Sequence, residues 1–209
     1  MRKVRIFVGG EVADIFDYKL QFDFAGTQRG TVSVLGTDYE SDRLQACTFK
    51  DVYFTVNELP WLGHVRVGHF YEPFSLEQNT SSKYITFMER ANVIEALSPS
   101  RNVGVMAFDS IADERATWAV GAFINEIGDE PPRFVDDRAS TALTMRFTWL
   151  PWYDEATEGR GLFHVGANYS YREVADQGIR FRGTPGSHLA GNVADTTGID
   201  NIMDYQLFG

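Results

Sequence analysis

Alternation of apolar and polar residues at period two recurs along this chain, and it confines the fold to one built from amphipathic strands. In DYKLQFDFAG (17–26), Tyr18, Leu20, Phe22 and Phe24 share one parity, and Lys19, Gln21 and Asp23 share the other. KVRIFVGGEV (3–12) sets Val4, Ile6, Val8 and Val12 against Lys3, Arg5 and Glu11. The period returns over 47–57, 63–71 and 101–110, and most strongly over 116–126, 140–150 and 161–172. Leu143, Met145, Phe147 and Trp149 line one face of 140–150 against Thr144, Arg146 and Thr148. Phe163, Val165, Ala167, Tyr169 and Tyr171 line one face of 161–172 against His164, Asn168, Ser170 and Arg172. About eight strands are expected, in an all-β antiparallel fold.

Two architectures share this pattern. A soluble antiparallel meander buries its apolar face and solvates the other. A transmembrane β-barrel turns its apolar face to lipid, and each strand spans about 9–11 residues, as these do. The connections separate into compact ones at 14–16, 58–62, 111–115 and 151–160 and long polar ones at 27–46, 72–100, 127–139 and 173–202. Short turns at one end and long loops at the other match a barrel of the outer-membrane type. Trp61, Trp149, Trp152 and Tyr153 fall near strand ends, where an interfacial girdle would place them. No run of 18 apolar residues exists, so no transmembrane helix is expected, and the mean hydropathy of -0.24 is what alternation produces in either architecture. MRKVRIFVGGEV has a basic beginning but no apolar segment or small-residue cleavage site, so it does not read as a secretory signal.

The formal net charge of -10 argues against nucleic acid as a partner, because phosphate backbones are held by clustered Lys and Arg. Cys47 is the lone cysteine, and without a CxxC or Cys/His cluster neither a disulfide framework nor a metal site is indicated; no cofactor is expected. No GxSxG, HExxH or P-loop pattern appears, and the chain does not read as an enzyme. His64 and His69 lie five apart on one strand and point to opposite faces, so they cannot share a metal. Ser187-His188 reads as a turn, and the loosely spaced Asp195 and Asp200 as loop solvation.

The long connection at 72–100 interrupts the strands with EPFSLEQNTSSKYITFMER (72–90), which mixes both charge signs, hydroxyls and aromatics. Thr86-Phe87-Met88-Glu89 fits a capping box, and Phe87, Met88, Ala91 and Ile94 recur at helical spacing until Ser98-Pro99 stops the run. A short helix is expected there, with its apolar side packed against protein. An eight-stranded barrel has an interior just filled by side chains, so a loop folding inward requires a wider one.

The core of 65–105 resembles the phosphate-selective porin O and P family of outer-membrane channels. The resemblance rests on a GxFxEPFSLE stretch at Gly68–Glu77, on TSSKYITFMER at 80–90 and on RNVGV at 101–105. Weaker similarity covers DYKLQFDFAG (17–26), TWLPWYDE (148–155), FHVGANYSYR (163–172) and SHLAGNVADTTGID (187–200), nearly the whole chain. It implies a homotrimer of sixteen-stranded barrels in outer-membrane lipid, with 72–100 as the inward constriction loop and lysines there binding small anions such as phosphate. By the same resemblance, residues 1–209 are a single partial porin domain, with one strand expected before them and several after.

Lys83 is the first candidate for holding an anion, beside Thr80, Ser81 and Ser82 in the matched stretch, where an ammonium acts as a point charge and hydroxyls replace hydration. The bland reading is a solvated loop lysine. Arg66, Arg146 and Arg172, with Arg5, lie on the polar parity and would face the lumen as a basic path. The competing reading pairs them with carboxylates such as Asp23 and Asp51 to stiffen the wall. Glu89 and Arg90 are expected to anchor the loop to the wall. The acidic clusters TDYESD (37–42) and GDEPPRFVDD (128–137) lie in the long connections and weigh against a phosphate-specific pore. Two other functions stay open: a soluble β-sheet or barrel protein binding an apolar ligand or partner, and a small closed barrel serving as an anchor.

Overall fold

A computed structural model describes residues 4–24, 27–34, 37–44, 48–81, 83–87, 90–125, 140–157, 159–174, 179, 181–183, 194–196, 199 and 202–209. Its strands are β1 (Arg5–Val12), β2 (Phe16–Asp23), β3 (Thr27–Val34), β4 (Thr37–Leu44), β5 (Thr48–Leu59), β6 (Gly63–Tyr71), β7 (Arg101–Ile111), β8 (Ala116–Asn125), β9 (Ser140–Tyr153), β10 (Leu162–Glu173), β11 (Arg182–Gly183), β12 (Ala194–Asp195) and β13 (Asp204–Phe208). Two short helices, α1 (Leu76–Asn79) and α2 (Asn92–Leu97), lie between β6 and β7. Nine strands form one sheet in the order β1-β2-β5-β6-β7-β8-β9-β10-β13, each antiparallel to its neighbours. The fold is the all-β antiparallel one that the alternation predicts.

The register lines up like parities across the sheet. Phe54, Val67, Val105, Ala122 and Leu143 form one row running from β5 to β9, each paired with the next. One residue further along each strand, Thr55, Arg66, Met106, Gly121, Thr144 and Ser170 form the adjacent row and point the other way. A one-residue slip would exchange the two faces, so the pattern fixes the register.

The burial of the two rows inverts that of a soluble protein. Phe54, Val67, Val105 and Leu143 are 42–48% exposed, whereas Thr55, Thr144 and Ser170 are at most 1% exposed. The polar face is therefore the covered, inner one. It also carries a buried apolar cluster of Phe70, Met106, Phe123 and Ala142, with Tyr53, Phe108 and Ala119 against it. Gly68 sits beneath this cluster at φ 138, where an added Cβ would lie 2.2 Å from the Val52 carbonyl oxygen. Only glycine lets β6 approach β5 so closely.

The compact connections at one end of the sheet are tight enough to force left-handed backbone on ordinary residues: Ala13 (φ 55), Asp14 (φ 56), Ala112 (φ 57), Asp113 (φ 53) and Glu114 (φ 65). Trp61 (99% exposed), Trp149 and Trp152 stand out from the apolar face near these turns. At the opposite end, the segment expected to be a polar loop at 27–46 contains the β3–β4 hairpin, with Val34 paired to Thr37. Its strands carry too few apolar residues for the period to show. The alternation does not predict β13 either, because DYQLF is too short for a pattern to declare itself.

Candidate functional site

Where β6 ends, the chain turns onto the inner face. Glu72, Pro73, Phe74 and Ser75 are all buried, and Glu72 is fully enclosed. One Glu72 carboxylate oxygen accepts from Asn102 Nδ2 at 2.6 Å; the other accepts from Thr144 Oγ1 at 2.5 Å and from Arg172 Nη1 at 2.8 Å. Ser170 Oγ lies 2.9 Å from Thr144 Oγ1 and accepts from Arg172 Nη1 at 3.3 Å. These partners sit on β7, β9 and β10. With strands about 4.8 Å apart, β6 and β10 are separated by roughly 19 Å along the sheet. A single carboxylate joined to three strands therefore ties the start of the 72–100 segment across the inner face. Arg172, expected on the polar parity as part of a basic path, is 2% exposed and committed to this ion pair. Its place in the fold follows the wall-stiffening reading, with Glu72 as the partner.

The remainder of the segment is tied to itself. Ser75 caps α1, its Oγ accepting from the Gln78 backbone N–H, and Ser75-Leu76-Glu77-Gln78 has the spacing of a capping box. Arg90 donates from Nε to the Glu77 carbonyl at 3.0 Å and from Nη2 to the Gln78 and Thr80 carbonyls at 3.3 and 2.9 Å, closing the C-terminal end of α1. Glu77 Oε1 in turn accepts from the Ala91 N–H at 2.8 Å. Arg90 thus anchors the loop to its own helix and not to the wall, and Glu89 lies outside the described residues. The expected helix from Thr86 is corrected too: α2 starts at Asn92 without a side-chain cap, because Arg90 and Ala91 are drawn back to α1.

The loop candidates fall apart from the wall candidates. Thr80 Oγ1 donates to the Leu76 carbonyl at 2.7 Å, and Ser81 Oγ accepts from the Lys83 N–H at 3.5 Å, so both hydroxyls shape the turn. Lys83 is exposed, next to the 80% exposed Tyr84. Ser82 lies outside the described residues.

Arg66 and Arg146 are brought together. They line a cleft of about 540 Å³ between the loop residues Pro73 and Asn79 and the inner wall, with Lys19 at its edge. The Arg66 guanidinium lies 4.1 Å from the Tyr53 ring centroid, 4.9 Å from that of Phe108 and 5.7 Å from that of Phe70, and its Nε donates to Thr55 Oγ1 at 3.0 Å. Cation–π contact of this kind holds the guanidinium flat. Among the described residues, neither Arg66 nor Arg146 has a carboxylate partner. Lys19, in contrast, is paired with Asp51 at 2.7 Å, and Arg101 holds the other oxygen of Asp51 at 2.6 Å. Arg5 is paired with Asp23 at 2.8 Å. Lys19 could have been found from its parity; Glu72 could not, because nothing local marks a loop carboxylate for a partner 100 residues away.

Comparison with known proteins agrees with this architecture. A curated protein of Caulobacter vibrioides, described as an uncharacterized protein, is 26% identical over 201 residues, which cover 91% of this chain and 35% of that protein. The chain thus spans about a third of the length of the curated relative that it matches. The family model described as phosphate-selective porin O and P matches residues 1–197. From GxFxEPFSLE to the sheet that it enters, this chain belongs to the phosphate-selective porin O and P family.

Proposed function

We propose that this chain forms part of the wall of an outer-membrane porin, a passive diffusion channel for small anions, phosphate among them. In the complete protein, taken as a homotrimer embedded in outer-membrane lipid, 72–100 is the loop that narrows the lumen. The single observation that carries this reading is the inverted sheet: apolar side chains exposed on one face, polar ones covered on the other, with the Glu72 segment laid across the polar face. A soluble sheet protein would need its apolar face covered, and a small closed barrel would have no space for the segment. Arg66 and Arg146 supply positive charge along the wall, and Lys83 with Thr80, Ser81 and Ser82 supplies it on the loop. Release needs weak binding, which the exposed Lys83 offers because it faces water as well as the ion.

The test is single-channel conductance of the complete protein in planar bilayers, with phosphate against chloride, for wild type, Lys83→Ala and Arg146→Ala. Anion preference that weakens in both variants supports the assignment. Anion preference untouched by Lys83→Ala moves the selectivity to the wall, and channels without anion preference remove the arginines and Lys83 from it altogether.

A further inference from the structure

The cleft on the inner wall has more apolar surface and more volume than a tetrahedral oxyanion calls for. Its roughly 540 Å³ falls in the range of pockets for organic ligands, about 300–1,000 Å³. An oxyanion of five heavy atoms occupies only two or three times the roughly 30 Å³ of a water molecule. The floor is aromatic and aliphatic: Tyr53, Phe70, Met106, Phe108 and Ala119.

The charge is equally specific. Lys19 at 2.7 Å and Arg101 at 2.6 Å share the single Asp51 carboxylate. Asp109 also lines the cleft, accepting from the Ser110 N–H at 2.7 Å, and has no cation partner among the described residues. Arg66 and Arg146 stand against that one carboxylate, and His64, which also lines the cleft, stacks on Phe108 at 5.3 Å with Nδ1 2.9 Å from Asn57 Oδ1. Counting Arg101 with its Asp51 partner, four cations stand against two carboxylates, a surplus that matches an anion.

The two arginines are disposed differently. Arg66 spends its Nε on Thr55 and one face of its plane on Tyr53 and Phe108. Arg146 has no hydrogen-bond partner among the described residues, which leaves its planar fork for two parallel bonds to a carboxylate. By register, Arg146 pairs with Ala119 and Ala119 with Phe108, so only a small side chain separates the fork from the aromatic floor beside Arg66.

We propose that this cleft is a subsite for an organic anion with a planar apolar body, of the aromatic-carboxylate class: the carboxylate on Arg146, the ring against Arg66 and the Tyr53–Phe108 floor. The proposal rests on the channel reading above and names a class of solute that the channel selects.

The test uses the complete protein in planar bilayers, with chloride as the current-carrying ion and benzoate, acetate or inorganic phosphate added as blocker. Wild type is expected to bind benzoate at least tenfold more tightly than acetate and more tightly than phosphate. Arg66→Lys keeps the charge and removes the plane, so the benzoate-to-acetate ratio should fall to threefold or less; Arg146→Lys should weaken both carboxylates. Equal block by benzoate and acetate in wild type overturns the proposal without needing any variant. So does tighter block by phosphate, or a ratio that Arg66→Lys leaves unchanged. Each of those results leaves an anion channel standing. A complete protein that forms no channel, or a cation-selective one, overturns the channel reading and this subsite with it.

Discussion

Replacing Arg172 with Met should release the 72–100 segment from the wall without unfolding the sheet. Glu72 is fully enclosed, and its carboxylate accepts from Arg172, Thr144 and Asn102. Without the guanidinium, a buried carboxylate is left with two neutral donors. Removing one partner of such a pair costs about 3–5 kcal/mol. The segment can avoid that cost by lifting Glu72 into water, so the energy appears as loop opening. At about 1.4 kcal/mol per factor of ten, opening should rise by roughly a hundredfold to a few thousandfold. Trypsin reads it directly, because Lys83 lies within the segment and its backbone must leave the wall to enter the protease cleft. Cleavage of the complete protein in detergent should accelerate in Arg172→Met, while the folded sheet keeps its unheated migration on a gel. Glu72→Gln/Arg172→Met removes both charges and should return most of the protection, since an amide can still bond Asn102 and Thr144. The reasoning is refuted if the single variant is cut at the wild-type rate, or if the double variant is cut as fast as the single one.

Gly68→Ala should abolish folding of the sheet, because its Cβ would lie 2.2 Å from the Val52 carbonyl oxygen at a φ of 138. Gly166→Ala, whose nearest contact would be 3.6 Å, should be silent in the same refolding assay. On the outer face, Leu143→Arg should cost about 2–4 kcal/mol in refolding into vesicles and little in detergent, if lipid is what that face meets; equal stability in both would refute it. Asp14→Gly, at φ 56, should raise the denaturant midpoint by up to about 1 kcal/mol in stability, since glycine carries no Cβ penalty in left-handed backbone.

Strands and faces were legible because period two is a local property. Tyr18-Leu20-Phe22 and Leu143-Phe147-Trp149 declare their parity without help from any other part of the chain, and the sheet bears them out. The meeting of Glu72 with Arg172 was not legible, because it depends on the register of strands 100 residues apart and on a turn that carries the chain back across the sheet. Arg66, Arg146 and Arg172 looked equivalent by parity. Position along the strand separates them: Arg172 lies under the loop, whereas Arg66 and Arg146 lie further along, where the cleft opens. The displaced helix has a similar cause. The run at Phe87–Ile94 has helical spacing, yet Arg90 is recruited by carbonyls of α1, a contact that periodicity does not encode.

The inverted sheet also sets how its two faces can change over evolutionary time. A side chain facing acyl chains has a fluid neighbour, which fills any shape offered to it, so exchanges among Val, Leu, Ile and Phe leave no cavity and force no overlap. On the porin reading proposed above, the exposed Val67, Val105 and Leu143 face lipid and can drift freely as long as they stay apolar. Glu72, Asn102, Thr144 and Arg172 have no such freedom, because each needs a partner of fixed length and charge. The Glu72 network is therefore the part of the sheet least able to accept single substitutions.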